Sequence, residues 1–441
     1  MNSRFKRLPL VVALTVTVIL ATGPASAELN VEEQAMADWI DEHAEDSIDL
    51  LEELVNIGSG TMNPEGIHKV GEVLRAELDG LGLDAEWIEQ PAELQRGNHL
   101  VGRLDGNRGK KMLLIGHLDT VFESTDEFQT FSRDGNIGKG PGIDDMKSGD
   151  VVIVYALKAL REIGVLDGAQ IVVFYTGDEE NPGEPLSISR RDLIDAGRWA
   201  DIALGFEAAV NSDGSDWATI ARRSSSGWQL KVTGRQSHSS RIFSEDVGAG
   251  AINEAARIIA AFYDEIRGEE HLTFNAGTIQ GGTDVEFDFE QNRGTTFGKT
   301  NVVPRTTIVQ GGLRTISVEQ QERTQAAMRA IVERHLPHTD ASITFDDGYP
   351  PMSPTEGNKG LQHNLSDINE ALGRGPMPTL DPSRRGAADV SFVAPYTDAL
   401  AGLGALGKGG HTPDESLELD SMPLAIKRAA ILIYRLSRED N

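Results

Sequence analysis

An α/β domain with a mostly parallel sheet, interrupted by a smaller inserted α+β module, is the fold class this sequence predicts. Three observations carry that expectation. Two short apolar runs with the length of buried strands, KMLLIG at 111–116 and AQIVVFY at 169–175, flank a helical stretch, GDVVIVYALKALREIG; strand, helix, strand in that order implies parallel pairing through a crossover helix. Near Asp216 the texture changes, and strand-like and helical segments follow without that parallel rhythm. The chain also has 441 residues, which is long for a single core and enough for two domains.

The first 27 residues place Arg4, Lys6 and Arg7 ahead of an apolar run from Leu8 to Ala21 and end on Ala25-Ser26-Ala27. This is the pattern of a cleaved export signal, so a secreted or periplasmic location is expected. The apolar run falls short of the roughly 20 residues a spanning helix needs. No cysteine follows it for lipid attachment, so no membrane association is expected after cleavage. Cysteine is in fact absent throughout, although export leads to compartments where disulfides form. Stability must then come from a large core, and any metal site must draw on His, Asp and Glu. With 69 acidic against 41 basic residues the formal charge is -28, a balance that excludes nucleic acid and anionic membranes as expected partners.

Within the first domain, residues 31–54 read as acidic helix, and 65–81 as a helix with Val70, Val73, Leu74 and Leu78 on one face. LDAEWIEQ reads as a strand, and the residue types of KMLLIG and AQIVVFY suit a sheet covered on both faces. In the second module WQLKVTG alternates, AGAINEAARIIAAFYDEI is an amphipathic helix, LTFNAGTIQGG and NVVPRTTIVQGGLR are strand-like, and VEQQERTQAAMRAIVERHL is another helix. That order places an α+β module at about 217–337. The first domain then comprises 28–216 and 338–441, closing with the helix SMPLAIKRAAILIYRLS.

Carboxylates and imidazoles recur directly after the buried strands, where open α/β sheets place their ligand sites. GHLDT sets His117 and Asp119 on the same side of an extended segment. There His117 can hold a metal through one ring nitrogen while Asp119 accepts from the other. GKGPGIDDMKSGD puts Asp144 and Asp145 in a glycine-rich loop, able to bridge cations or simply to cap the helix that follows. FYTGDEENPGE presents Asp178, Glu179 and Glu180 in a row; three packed like charges are costly without cations. Glu180 can serve as a ligand and Glu179 as general base. GFEAAV supplies Glu207, and GKGGHTPDESLEL supplies His411. Singly, each of these is as well explained as a cap, a turn or a surface acid, and Lys147 as a structural partner of nearby carboxylates.

The ordered set GHLDT, GPGIDDMKSG, TGDEE, FE, GRQSH, NVVP with a later Arg, and GGHTPDE spans nearly the whole chain after the signal and resembles the M20 family of zinc peptidases, in its glutamate carboxypeptidase branch. The resemblance implies a zinc-exopeptidase-like catalytic domain and a ferredoxin-like lid and dimerisation domain. It further implies two zinc ions per subunit, with cobalt or manganese able to take the same ligands. One ion would sit on His117, Asp145 and Glu207, the other on Asp145, Glu180 and His411. Asp145 is the bridge because the family's D-x-K reads Asp145-Met146-Lys147 here; Asp144 falls where many members have a small residue. Glu179 would be the base, and His238 of GRQSH would reach into the active site of the partner subunit of a homodimer. Asn301 and Arg314 would hold the substrate's free α-carboxylate, and Gly386 would line the substrate end.

The sequence departs from the family at that end. RRGAAD stands where a Gly-Gly-x-x-Asp segment is usual, bringing Arg384 and Arg385, and ARRSSSGW adds Arg222 and Arg223; Arg241 and Lys299 lie beside other matched motifs. An arginine pair can be no more than a solvated face, but a cationic pocket implies an anionic substrate. The expected reaction is therefore carboxypeptidase-type release of C-terminal Glu or Asp from peptides, conjugates or oligoaspartate, the last resembling the poly(aspartic acid) hydrolases of this family. The alternatives are an aminoacylase, deacetylase or dipeptidase of the same family, and an inactive exported binding protein.

Overall fold

The computed structural model describes residues 28–288 and 293–439, and the expected export signal lies outside them. Among the described residues no helix is long and apolar enough to cross a membrane.

A six-stranded sheet forms the first domain, in the order Asp84–Ile88, His99–Leu104, Ala169–Thr176, Arg108–His117, Ile202–Gly205 and Asp398–Leu400. The last four are mutually parallel, and the first two pair antiparallel at one edge. Arg108–His117 is buried on both faces because its alternate side chains enter different cores. Met112 and Leu114 pack with the helices Ser148–Glu162 and Met422–Leu436, whereas Leu113 and Ile115 pack with Arg191–Trp199. This is why the strand reads as a continuous apolar run instead of alternating. The single helix expected at 31–54 is two, Val31–Glu42 and Ala44–Val55. The first is opened by a capping box in which Asn30 and Glu33 exchange side-chain and backbone hydrogen bonds.

Counting the strands of its main sheet, the inserted module has the chain order strand, helix, strand, strand, helix, strand, with a hairpin of Asp284–Asp288 and Arg293–Phe297 between the second and third strands. Its antiparallel sheet runs Thr273–Gly282, Thr306–Arg314, Ser225–Gly234, Thr339–Tyr349, the ferredoxin-like arrangement. Trp228, Leu230 and Val232 face the helices Ala251–Glu265 and Val318–Val332, where Ile258, Phe262, Met328 and Ile331 complete a separate core. The fourth strand lies past residue 337. Its apolar residues Ala341, Ile343 and Phe345 alternate with polar ones, so it has no continuous run to mark it. At the other end, Thr219 still bridges Ala401 of the first domain, and the module's sheet begins only at Ser225.

Candidate metal centre

The three parallel strands that form the middle of the sheet end at His117, Thr176 and Gly205, and the loops that follow them supply most of the site. His117, the last residue of its strand, is buried. Its Nδ1 donates to the Asp119 carbonyl oxygen at 3.0 Å, and its Nε2 faces Asp145 Oδ1 at 3.2 Å. The other Asp145 oxygen, Oδ2, lies 3.1 Å from His411 Nε2, which is also 3.1 Å from Glu180 Oε2. One carboxylate thus spans two imidazoles, one oxygen to each. Asp144 makes no such contact; its Oδ1 is buried without a hydrogen-bond partner. Burial together with the neighbouring Asp145 pushes the Asp144 carboxyl up to about 8.

The loop that aims Asp145 is held from below. Glu415, fully buried, accepts from the backbone amides of Gly142, Asp144 and Asp145 at 3.1, 2.8 and 3.0 Å. Gly142 has φ 72°, and a Cβ there would lie 2.3 Å from Thr120 Cγ2, so the turn has room only for glycine. The Asp145–Met146 peptide is cis. Lys147, expected as a structural partner of carboxylates, donates to the Ile57 carbonyl at 2.9 Å; burial lowers its pKa to about 7 against the opposing charges of Glu415 and Asp150. His411 sits at φ 65° in a glycine-rich turn, a conformation uncommon outside glycine and typical of functional positions.

Asp119 does more than face His117. Its oxygens accept from Thr61 Oγ1 at 2.6 Å and from the amides of Glu179 and Glu180 at 2.9 and 3.1 Å. On the other side of that turn, the Tyr349 hydroxyl donates to the Glu179 carbonyl at 2.7 Å. Glu179 is therefore clamped through both its N–H and its C=O. Burial pushes its carboxyl well above the usual range. Asp178, the first acid of the row, turns away into a buried network. Arg190, fully buried, donates to Asp178 Oδ1 at 2.6 Å and to Asp389 Oδ1 at 2.8 Å, and reaches Tyr349 at 3.4 Å. Removing one partner of such a pair strands an uncompensated charge, at a cost of about 3–5 kcal/mol. Arg190→Met is expected to lose that much in urea unfolding; an unchanged midpoint would show the network to be dispensable.

Two expected ligands, His411 and Glu207, fall outside the tightest group; His411 still reaches it through Asp145 and Glu180, whereas Glu207 does not. His117, Asp145 and Glu180 offer ligand atoms all within 4.8 Å of one another, and Glu207 is outside that group. It shares a small cavity of about 10 Å³ with His117, but its Oε2 is 2.5 Å from the guanidinium of buried Arg222 and 3.8 Å from Arg385. Arg222 also donates to the carbonyls of Gly386 and Ala387, both at 3.2 Å. Arg385 donates to the Ala208 carbonyl, and burial beside Arg222 lowers its pKa to about 10.

The remaining expected residues lie further out. Arg384 is exposed and donates to Ser212 Oγ. Arg223 is half-buried and donates to Thr273 Oγ1; burial and then the charge of Arg314 lower its pKa. Exposed Arg314 donates to the Ser224 carbonyl, and Arg241 pairs with Asp246. His238 and Asn301 are exposed neighbours on the inserted module, where His238 bridges Val302 and the Ser239 amide donates to the Asn301 carbonyl at 2.8 Å. Among the described residues no hydrogen bond or ion pair joins either of them to the His117–Asp145–His411 group.

A divalent cation fits this donor set. With Nδ1 of His117 donating to a carbonyl, a neutral ring turns its Nε2 lone pair toward the Asp145 carboxylate, a repulsive contact that only positive charge relieves. Burial opposes protonation of His117, but Asp119 and Asp145 outweigh it and raise the imidazole well above its ordinary value. His411 is pushed up to about 10 by hydrogen bonds to Asp145 and Glu180. The buried Oε1 of Glu180 has no hydrogen-bond partner, a ready position for a metal bond.

Residues 113–435 match the sequence profile described as peptidase family M20/M25/M40. Carboxypeptidase G2 of Pseudomonas sp. (strain RS-16) is 29% identical over 447 aligned positions, covering 99% of each chain. Succinyl-diaminopimelate desuccinylase of Cupriavidus necator is 26% identical and covers 84% of this chain and 94% of its own. Among solved structures, a tripeptidase from Staphylococcus aureus superposes with TM-score 0.67 at 20% identity, covering 90% of this chain and 99% of that one. A dinuclear metal-binding peptidase of the M20 family from Bacillus subtilis gives 0.60 at 14%, covering 90% and 98%.

Proposed function

This chain belongs to peptidase family M20/M25/M40, and from that premise we propose that it is a di-zinc exopeptidase of the carboxypeptidase type, releasing C-terminal Glu or Asp from peptides, conjugates or oligoaspartate. The observation that carries the reading is the Asp145 carboxylate, with one oxygen toward His117 and the other toward His411. His117, Asp145 and Glu207 would hold one ion, and Asp145, Glu180 and His411 the other; zinc suits these ligands, as cobalt or manganese would. The ions would polarise the scissile carbonyl and acidify the attacking water. Arg222 occupies only one oxygen of Glu207 and leaves the second for a metal.

The rest of the chemistry falls to side chains. Glu179, clamped by Asp119 and Tyr349, takes the proton of the attacking water and passes it to the leaving nitrogen. Asp119 orients His117 and the Glu179–Glu180 turn together. Arg385 beside Glu207, with Arg384, Arg223 and Arg314 further out, would supply planar forks for the anionic end of the substrate, next to Gly386. His238, beside Asn301 on the lid, would serve the site of a second copy in a homodimer, and Asn301 would join Arg314 at the substrate's free α-carboxylate. The export pattern of residues 1–27 is the ground for a secreted or periplasmic location.

Mass spectrometry of products from acidic peptides and oligoaspartate, incubated with the metal-loaded protein, tests the reading. Stepwise loss of C-terminal Glu or Asp is the expected result. Cleavage of N-acyl amino acids alone would replace it with the aminoacylase alternative. Oligoaspartate hydrolysis that survives Arg384→Ala with Arg385→Ala undiminished would remove the arginines from substrate binding.

A further inference from the structure

The metal centre has two unlike flanks. On the Glu207 side stand Arg222 and Arg385. On the His411 side opens a cavity of about 570 Å³ lined by Val121, Phe122, Phe128 and Pro413, with the acids Asp126 and Glu127, and with no Lys or Arg in its lining among the described residues. Its volume lies within the usual range for ligand pockets. Phe122 is buried and packs edge-on against Phe128 with ring centroids 5.1 Å apart, so the apolar floor is fixed in shape. Asp126 and Glu127 are exposed at the same cavity; Asp126 Oδ2 accepts from the Glu123 amide at 2.7 Å, which ties its loop down. His411 belongs to both the cavity and the metal group, so whatever fills the cavity lies beside the reacting centre.

We propose that this cavity is the subsite for the residue on the acyl side of the scissile bond, and that it selects a side chain with an apolar stem and a cationic tip, as in lysine or arginine. The inference rests on the carboxypeptidase reading only for its direction along the substrate: with the leaving acidic residue on the arginine flank, the acyl residue falls on the His411 flank. The selectivity follows from the lining. Phe122, Phe128 and Val121 cover a methylene stem, the ring faces attract a cation, and Asp126 and Glu127 complete the charge match. An aspartate side chain in the same place meets the two carboxylates Asp126 and Glu127, while the His411 imidazole is already committed to Asp145 and Glu180. Peptides ending in Lys-Glu or Arg-Glu are thus better substrates than oligoaspartate, although both present an acidic residue to the other flank.

The experiment compares kcat/KM for N-acetyl-X-Glu with X as Lys, Arg, Leu and Asp, using the metal-loaded full chain. The expected result is at least about tenfold preference for Lys over Asp, with Leu between, and loss or inversion of that preference in Asp126→Lys with Glu127→Lys. Because Asp126 also anchors its loop, Glu127→Lys alone is the second variant, and circular dichroism checks that each is folded. Equal or better hydrolysis with X as Asp, or a preference unmoved by both variants, would overturn the proposal. Saturation-transfer NMR with N-acetyl-lysinamide and N-acetyl-aspartamide reads the cavity without turnover. If no N-acetyl-X-Glu peptide is cleaved but lysinamide binds and loses its signal in Glu127→Lys, the carboxypeptidase reading fails and the cavity assignment stands. If neither amide discriminates, the assignment falls.

Discussion

Replacing Glu179 by glutamine is expected to lower kcat by about 10²- to 10⁴-fold, the usual contribution of a positioned proton carrier, while metal content and melting temperature stay at wild-type values. The shape of the side chain is kept, and the two anchors of residue 179 are backbone groups, the N–H on Asp119 and the C=O on Tyr349, so the turn survives the change. Only the ability to accept a proton is removed. Kinetics with a slowly cleaved acidic peptide, paired with metal analysis by mass spectrometry, make the measurement. Activity within fivefold of wild type would assign the proton transfer elsewhere. Loss of metal along with activity would make Glu179 a ligand or a prop for ligands.

The second large effect is expected at Asp145. Asparagine there keeps the volume but removes the negative charge that both His117 and His411 face. Activity should fall to background, and metal content should drop below that of any single change at Glu180 or Glu207, because this one residue would serve both ions. Calorimetry supplies a readout that does not depend on turnover. Binding to the native state alone stabilises a protein by about 2.7 kcal/mol per site when free metal is a hundredfold above Kd. Chelation should therefore lower the melting temperature of the wild type and leave Asp145→Asn nearly unmoved. Asp144→Asn is the contrasting variant: its carboxyl touches neither imidazole, and metal content should be retained. A reversed pattern would transfer the bridge to Asp144.

Much of the architecture was legible because its causes are local. Buried strands such as Arg108–His117 and Ala169–Thr176 are apolar at every position when both faces are covered, and they announced a parallel sheet directly. The chemistry that follows those strands was legible too, as ordered motifs. The residues that went unassigned support the site from a distance in sequence. Glu415 holds the amides around Asp145 from 270 residues away. Tyr349 steadies Glu179 from the last strand of the inserted module, and Arg190 draws Asp178 out of an acidic row that looks uniform on paper. Glu415 left one trace, an acid four residues after His411 in a glycine-rich turn; Tyr349 and Arg190 left none.

By itself, then, the sequence determined the two-part fold, the family, and the set of acids and imidazoles from which a metal centre can be built, since each depends on residue type, order and local periodicity. Tertiary structure alone decided how the Asp145 loop is held from Glu415, that Glu207 shares its charge with Arg222, and that one flank of the centre is cationic while the other is aromatic and acidic. Those outcomes depend on distances of about 3 Å between side chains brought together by separate loops, and electrostatic pairing at that range is set by packing that no linear spacing encodes.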